Sequence, residues 1–186
     1  MARTSSRSSS KGRLRGRPLW LTLLAVAALA VSQWLEGGGW SFLGGTSNGL
    51  VAEGRPRLVD GDSLFIGSRE VRLVGIDAPE GPQICQRGGR DWRCGDASRS
   101  QLAKLINGRA ITCEGEKEDR HGRLLAICSV GGRNLNQEMV AQGYALAYGR
   151  YGSDERAAKS GKRGLWASNV VFQTPRAWRR SNGIGQ

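Results

Sequence analysis

The sequence contains a single histidine, His121, and no C-x-x-C pair. Tetrahedral zinc sites draw on those ligands, so the chain offers poor material for one. No internal repeat is visible, which leaves no basis for a solenoid or propeller. Acidic residues are scarce: 16 Asp and Glu stand against 28 Lys and Arg, for a net charge of +12. Residues 1–17 carry six positive charges and no acid, and subtracting them leaves +6 for residues 18–186. The chain beyond that tail is therefore basic in its own right. Such a balance points to a polyanionic partner, with nucleic acid the first candidate, although solubility alone also accounts for it.

With 186 residues the chain can bury one core and still carry appendages. Residues 1–18 are rich in Ser, Arg and Gly and are expected to be disordered. Leu19 to Leu35 follows without a charge. As a helix it spans roughly 26 Å at about 1.5 Å per residue, slightly short of a ~30 Å hydrocarbon core. It reads as a transmembrane anchor or as the apolar part of a secretory signal, with Ala28-Leu29-Ala30 a candidate cleavage site. The anchor is preferred because the apolar run continues to Trp34-Leu35, with Trp20 and Trp34 near its two ends. In both readings the basic tail stays in the cytoplasm and the remainder lies outside, periplasmic or extracellular. Residues 36–49 are a Gly-rich tether. A domain is expected over 50–180, followed by a tail over 181–186.

The informative stretch is Val59 to Glu80, V-D-G-D-S-L-F-I-G-S-R-E-V-R-L-V-G-I-D-A-P-E. Asp60-Gly61-Asp62 is a turn signal. Ser63 to Ile66 and Arg69 to Ile76 are rich in β-branched and apolar residues, punctuated by Gly67-Ser68, and read as a β-hairpin. A hairpin returns the chain to its starting level, so Asp62 and Asp77 can meet. Two such carboxylates repel unless a proton or cation neutralises them, and oxygen-only ligands suit a hard cation such as Ca²⁺ or Mg²⁺. Pro79 pushes Ala78 into an extended conformation, which aims its carbonyl and the Glu80 side chain toward the same place. The plainer alternatives are that Asp60 only shapes its turn and that Arg72 pairs with Glu70 or Glu80.

Beyond it, residues 80–95 form a loop with Arg87, Arg90 and Arg93 beside Trp92. Basic residues interleaved with an aromatic suit single-stranded nucleic acid; a loop closed by a disulfide with solvated arginines is the plainer reading. Asp96 or Ser98 is expected to cap a helix ending at Ile106 and Asn107-Gly108. Strands are expected at 110–114 and 124–130, flanking the turn E-K-E-D-R-H-G-R. Asn134 with Gln137 resembles a capping box, a short final helix spans 154–160, and the stretch holding Arg176, Arg179 and Arg180 reads as a loose basic tail. Cys85, Cys94, Cys113 and Cys128 allow three pairings, and an oxidising compartment makes disulfides reasonable. Cys85 and Cys94 share one loop; Cys113 and Cys128 lie on strands read as neighbours. Strands with several crossings and interspersed helices give an α+β, mainly β architecture, a small OB-type barrel with attached helices.

Taken in order, D-G-D-S, V-R-L-V-G-I-D-A-P-E, D-R-H-G-R-L-L-A and the late G-L-W resemble the staphylococcal nuclease (thermonuclease-like) family, over roughly Leu50 to Trp166. Four motifs in one order are specific where any one alone is weak. The resemblance implies a five-stranded OB-fold barrel with about three helices. It implies Ca²⁺-dependent hydrolysis of DNA and RNA, single-stranded substrates preferred, to 3′-phosphate products, by a monomer holding one Ca²⁺ ion. Matched residue by residue, Asp62 and Asp77 stand at the carboxylate ligands of the ion and Ala78 at the backbone-carbonyl ligand, where the family commonly has Thr. Arg72 and Arg123 stand at the catalytic arginines and Glu80 at the carboxylate that acts on water. His121 replaces a tyrosine and receives no role. Tyr148 and Tyr151 fall near the family's base-stacking tyrosines. The competing readings are a nucleic-acid-binding OB module without hydrolysis and a cell-envelope scaffold.

Overall fold

The computed structural model describes residues 49–184. The readings placed on the basic tail, the apolar run 19–35 and the Gly-rich tether lie outside these residues. Among the described residues no helix is long and apolar enough to cross a membrane.

Strand β1 (Leu50–Gly54) and strand β2 (Pro56–Leu58) are separated only by Arg55. Next come β3 (Ser63–Ile66), β4 (Arg69–Leu73), β8 (Ile111–Glu118) and β9 (Leu124–Val130), the last two after the elements described below. These six strands form one sheet in the order β1-β8-β9-β4-β3-β2, to which β10 (Arg133–Asn134) adds beside β9. The first two strands of the chain thus sit at opposite ends of the hydrogen-bonded path, although one residue joins them. A flat sheet cannot satisfy that connection; the strands curl into an OB-like half-barrel, built from six strands and the short β10 where a five-stranded barrel was expected. Alternation along β9 is strict, with Leu124, Ala126, Cys128 and Val130 buried and the residues between them only partly so. The core adds Leu64, Val71, Leu73, Leu102, Leu135 and Met139.

Two smaller sheets flank the half-barrel. Strand β5 (Ile76–Asp77) pairs with β11 (Leu146–Ala147), while β6 (Cys85–Arg87) pairs with both β7 (Arg90–Trp92) and β12 (Val170–Val171). The strand expected over 69–76 is therefore broken: β4 ends at Leu73, and Gly75, at φ +81°, turns the chain so that Asp77 leaves on a different sheet.

There are four α-helices among the described residues where about three were expected: α1 (Cys94–Ile106), α2 (Leu135–Ala141), α3 (Gly152–Ser160) and α4 (Pro175–Ser181). Neither Asp96 nor Ser98 caps α1. Its N-cap is Arg93 and makes no side-chain cap bond, while its C-cap Asn107 takes the left-handed conformation expected at a helix end. Asn134 caps α2 as its sequence suggests, accepting from the Gln137 amide at 3.0 Å. The loose tail foreseen near Arg176 is instead α4, with Pro175 in its first turn and Thr174 Oγ1 accepting from the Ala177 amide at 3.2 Å.

Of the three cysteine pairings, the fold selects two bridges, Cys85–Cys94 and Cys113–Cys128. The second joins residues directly opposite one another on β8 and β9.

Candidate active site

The β3–β4 register sets Ser63 opposite Arg72, so Arg72 rises beside the carboxylate that precedes β3. Arg72 Nη1 lies 3.0 Å from Asp62 Oδ1, and its Nη2 lies 3.3 Å from Asp77 Oδ1. One guanidinium thus spans the two carboxylates, and the two acids meet from sequence positions 15 apart. The Asp62 side chain is 3% exposed. Its Oδ1 also accepts from Ser63 Oγ at 3.2 Å and its Oδ2 accepts from the Ala78 amide at 2.8 Å. Burial pushes the Asp62 carboxyl up to about 7, further helped by nearby Asp60 and Asp77 and opposed by Arg72 and the Ala78 N–H. Asp60 plays the turn-shaping part: its Oδ1 accepts from the Asp62 amide at 3.0 Å.

Glu80 is brought in from the exit of β5. A close approach of α1 fixes its backbone: a Cβ built on Gly95 would lie 1.9 Å from the Glu80 carbonyl oxygen, so only glycine fits there. The Glu80 amide donates to Gln83 Oε1 at 3.2 Å, from a glutamine that is fully buried.

Arg123 precedes β9 directly. Because β4 and β9 pair in parallel, with Val71 opposite Leu124, Arg123 emerges beside the strand that carries Arg72. Its guanidinium pairs with Asp119, Nη2 at 2.8 Å and Nε at 2.9 Å from Oδ2. Burial works against ionisation of Asp119, but hydrogen bonds from the Arg123 side chain and backbone and from the His121 amide outweigh it and hold the carboxyl below its usual range. Arg72, Glu80 and Arg123 border one cleft of about 570 Å³, together with Arg120 and His121.

Tyr148 is 66% exposed and lines a second cleft of about 620 Å³ with Arg72 and Asp77. Tyr151 is placed differently: its ring packs against the core and its hydroxyl accepts from Asn134 Nδ2 at 3.3 Å. The loop arginines are mostly occupied. Arg87 stacks on Trp92 at 3.5 Å and Arg93 pairs with Asp96.

One site residue escaped the sequence reading. Arg179, on α4, lays Nη1 2.9 Å from Asp77 Oδ1 and 2.6 Å from Glu80 Oε1, with Nη2 3.3 Å from Asp77 Oδ2. Partial burial disfavours its charge, yet the bonds to Asp77 and Glu80 more than offset this and hold it protonated more firmly than usual. The available signal was the spacing of Arg176, Arg179 and Arg180, at i, i+3 and i+4, which puts three cations on one face once the segment is helical.

In donor chemistry the site fits a hard divalent cation. Asp62, Asp77 and Glu80 supply three carboxyls against the two guanidinium groups of Arg72 and Arg179, so the cluster has room for further positive charge. The donors are all oxygen, and burial of Asp62 makes an unneutralised carboxylate costly. Among the described residues no three acidic, histidine or cysteine side chains are grouped so as to hold a metal ion by themselves, and the carboxylates of Asp62, Asp77 and Glu80 are engaged by Arg72 and Arg179. Carbonyl and water oxygens would complete the shell, as is usual for Ca²⁺.

The family model described as staphylococcal nuclease homologue matches residues 70–168, which takes in Arg72, Asp77, Glu80 and Arg123 and stops short of α4. The chain is 36% identical over 121 residues to a succinoglycan biosynthesis protein, ExoI, of Rhizobium meliloti (strain 1021), covering 61% of this chain and 63% of that protein. It is 35% identical over 134 residues to an uncharacterized endonuclease of Escherichia coli O157:H7, covering 66% of this chain and 81% of the relative. A micrococcal nuclease of Shigella flexneri is 31% identical over 147 residues, covering 68% and 79%.

Proposed function

The chain belongs to the staphylococcal nuclease homologue family, and on that premise we propose that it is a Ca²⁺-dependent nuclease that hydrolyses phosphodiester bonds in DNA and RNA to 3′-phosphate products. The observation that carries this reading is the Arg72 guanidinium spanning two carboxylates, Asp62 and Asp77, with Glu80 and Arg123 on the same cleft. Relatives named as endonuclease and micrococcal nuclease support it.

A phosphodiester is an anion that repels hydroxide, and its transition state gathers more charge on the non-bridging oxygens. Arg72 and Arg123 answer this need. Guanidinium groups stay charged at any working pH and present paired donors to phosphate oxygens. They contribute most where the charge is greatest, in the pentacovalent state. The Asp119 pairing holds the Arg123 fork at a fixed angle, since three of the Asp119 bonds come from Arg123 or its turn. Glu80 would orient the attacking water and take its proton. The leaving 5′-oxygen takes a proton from solvent. Asp62, Asp77 and the Ala78 carbonyl would hold the Ca²⁺, which when bound neutralises phosphate charge and templates the geometry. Tyr148 offers an exposed ring on which a base can stack, in keeping with a single-stranded substrate.

The same proposal places the domain outside the cytoplasm, tethered by the apolar run 19–35, or secreted if that run is removed. Both disulfides support an oxidising compartment.

The test is cleavage of single-stranded DNA by Glu80→Gln and Arg123→Ala. Each is expected to lower the rate at least ~100-fold while leaving the circular dichroism spectrum unchanged. Wild-type rates in both variants would remove the assignment, and salt-sensitive binding without product from the wild-type chain would favour a non-catalytic module.

A further inference from the structure

Helix α4 lies beyond the residues that the family model matches, yet it reaches the acids of the site. It is held there at both ends. The fully buried Gln83 donates through Nε2 to the Gln173 carbonyl at 2.9 Å, and Pro175 in the first turn of the helix is buried. On the other side Arg179 grips Asp77 and Glu80. The helix therefore stands as a fixed wall of the cleft.

Its three arginines share one face but not one task. Arg179 has its charge matched by Asp77 and Glu80. Arg176 and Arg180 line the same cleft as Arg72, Asp77 and Tyr148, are exposed, and form no ion pair among the described residues. Arg120, which lines the same cleft, also has no acidic partner among them. Like charges crowded into a concavity repel one another and focus the field on whatever anion enters it. The cost is recovered only when a polyanion occupies the cleft.

We infer that α4 is a substrate-binding wall, in which Arg176 and Arg180 bind phosphates of a polynucleotide strand flanking the scissile one, while Arg179 anchors the wall to the catalytic acids. This inference rests on the nuclease reading and names a part of its substrate site. A strand held by Arg176 and Arg180 on one side can present its scissile phosphate to Arg72 and its neighbouring base to Tyr148. The wall responds to polymer length, because a diester without flanking phosphates has nothing to offer it.

The test is binding, not turnover. The full chain is titrated against a fluorescently labelled single-stranded oligonucleotide in chelator, by anisotropy, over a series of KCl concentrations. Arg176→Gln/Arg180→Gln is expected to weaken binding about tenfold at low salt. It should also flatten the plot of log K against log salt by about 1.4, at ~0.7 per lost phosphate contact on a single strand. Arg176→Lys/Arg180→Lys should restore most of the slope, since lysine keeps the charge. Arg55→Gln/Arg156→Gln, which removes the same charge from two exposed positions away from the cleft, should leave the slope unchanged. An unaltered slope in the α4 variant, or an equal loss in the control pair, overturns the inference. So does a variant that keeps DNA binding but loses binding to anionic phospholipid vesicles, which would make α4 a membrane contact. Because no hydrolysis is required, a chain that binds in this way without cutting would refute the nuclease reading and still uphold the wall.

Discussion

At Asp62 the cost of burial is concentrated on one carboxyl. Its folded value, about 7, lies above the ordinary 3.8. A raised acid gives stability that is complete below the unfolded value and is lost as pH climbs through the folded one. In chelator, the wild-type protein should therefore lose stability between about pH 4 and pH 7 relative to Asp62→Asn. The melting-temperature difference should shift toward the variant by on the order of 5 °C across that window. Scanning calorimetry of both proteins checks this; parallel pH profiles would show that Asp62 does not titrate as an isolated buried acid. Arg72 is constrained differently. Its two terminal nitrogens face two different carboxylates, which a lysine cannot reproduce with a single ammonium. Arg72→Lys should lower the cleavage rate by about 100-fold with little change in fold, measured as turnover of single-stranded DNA beside circular dichroism.

The elements explain both what could be read in advance and what could not. The hairpin of β3 and β4 follows from local alternation around Gly67, so the approach of Asp62 to Asp77 was legible, whereas Arg72, whose plainer partners were Glu70 or Glu80, pairs with Asp62 and Asp77 instead. The break at Gly75 was not, because V-R-L-V-G-I has the composition of a continuous strand; the φ of +81° at Gly75 and the pairing of β5 with β11 are set by the distant segment 146–147. Strand β1 went unread because its burial alternates weakly and its partner, β8, lies some sixty residues away. Arg179 contacts acids 99 and 102 positions earlier, a separation that periodicity alone cannot reveal. Helix α1 shows how an element disciplines the site. Gly95→Ala would set a methyl group against the Glu80 carbonyl and should cost about 1–3 kcal/mol. Denaturant unfolding measures that loss, and slower cleavage should accompany it because Glu80 must shift. Across β8 and β9, Cys113 and Cys128 close a loop with a sequence separation of 15. Replacing both by serine should lower stability by roughly 3 kcal/mol in urea, leaving the distances around Arg72 intact.

For the whole molecule, net charge and the charge pattern of the cleft act together. A net charge of +12 draws polyanions from solution without selecting among them, and the cleft adds selection by setting exposed arginines around a small acidic centre. The balance is delicate. The carboxyls of Asp62, Asp77 and Glu80 lower the field that the arginines create until a cation neutralises them, so metal and nucleic acid should bind cooperatively. The measurement that reaches the centre of the account is cleavage of single-stranded DNA by the full-length chain, first with calcium and then after chelator is added. The account predicts steady appearance of 3′-phosphate products that stops on chelation and resumes when calcium is returned. Cleavage that continues undiminished in chelator, or none at all with calcium present, would contradict it.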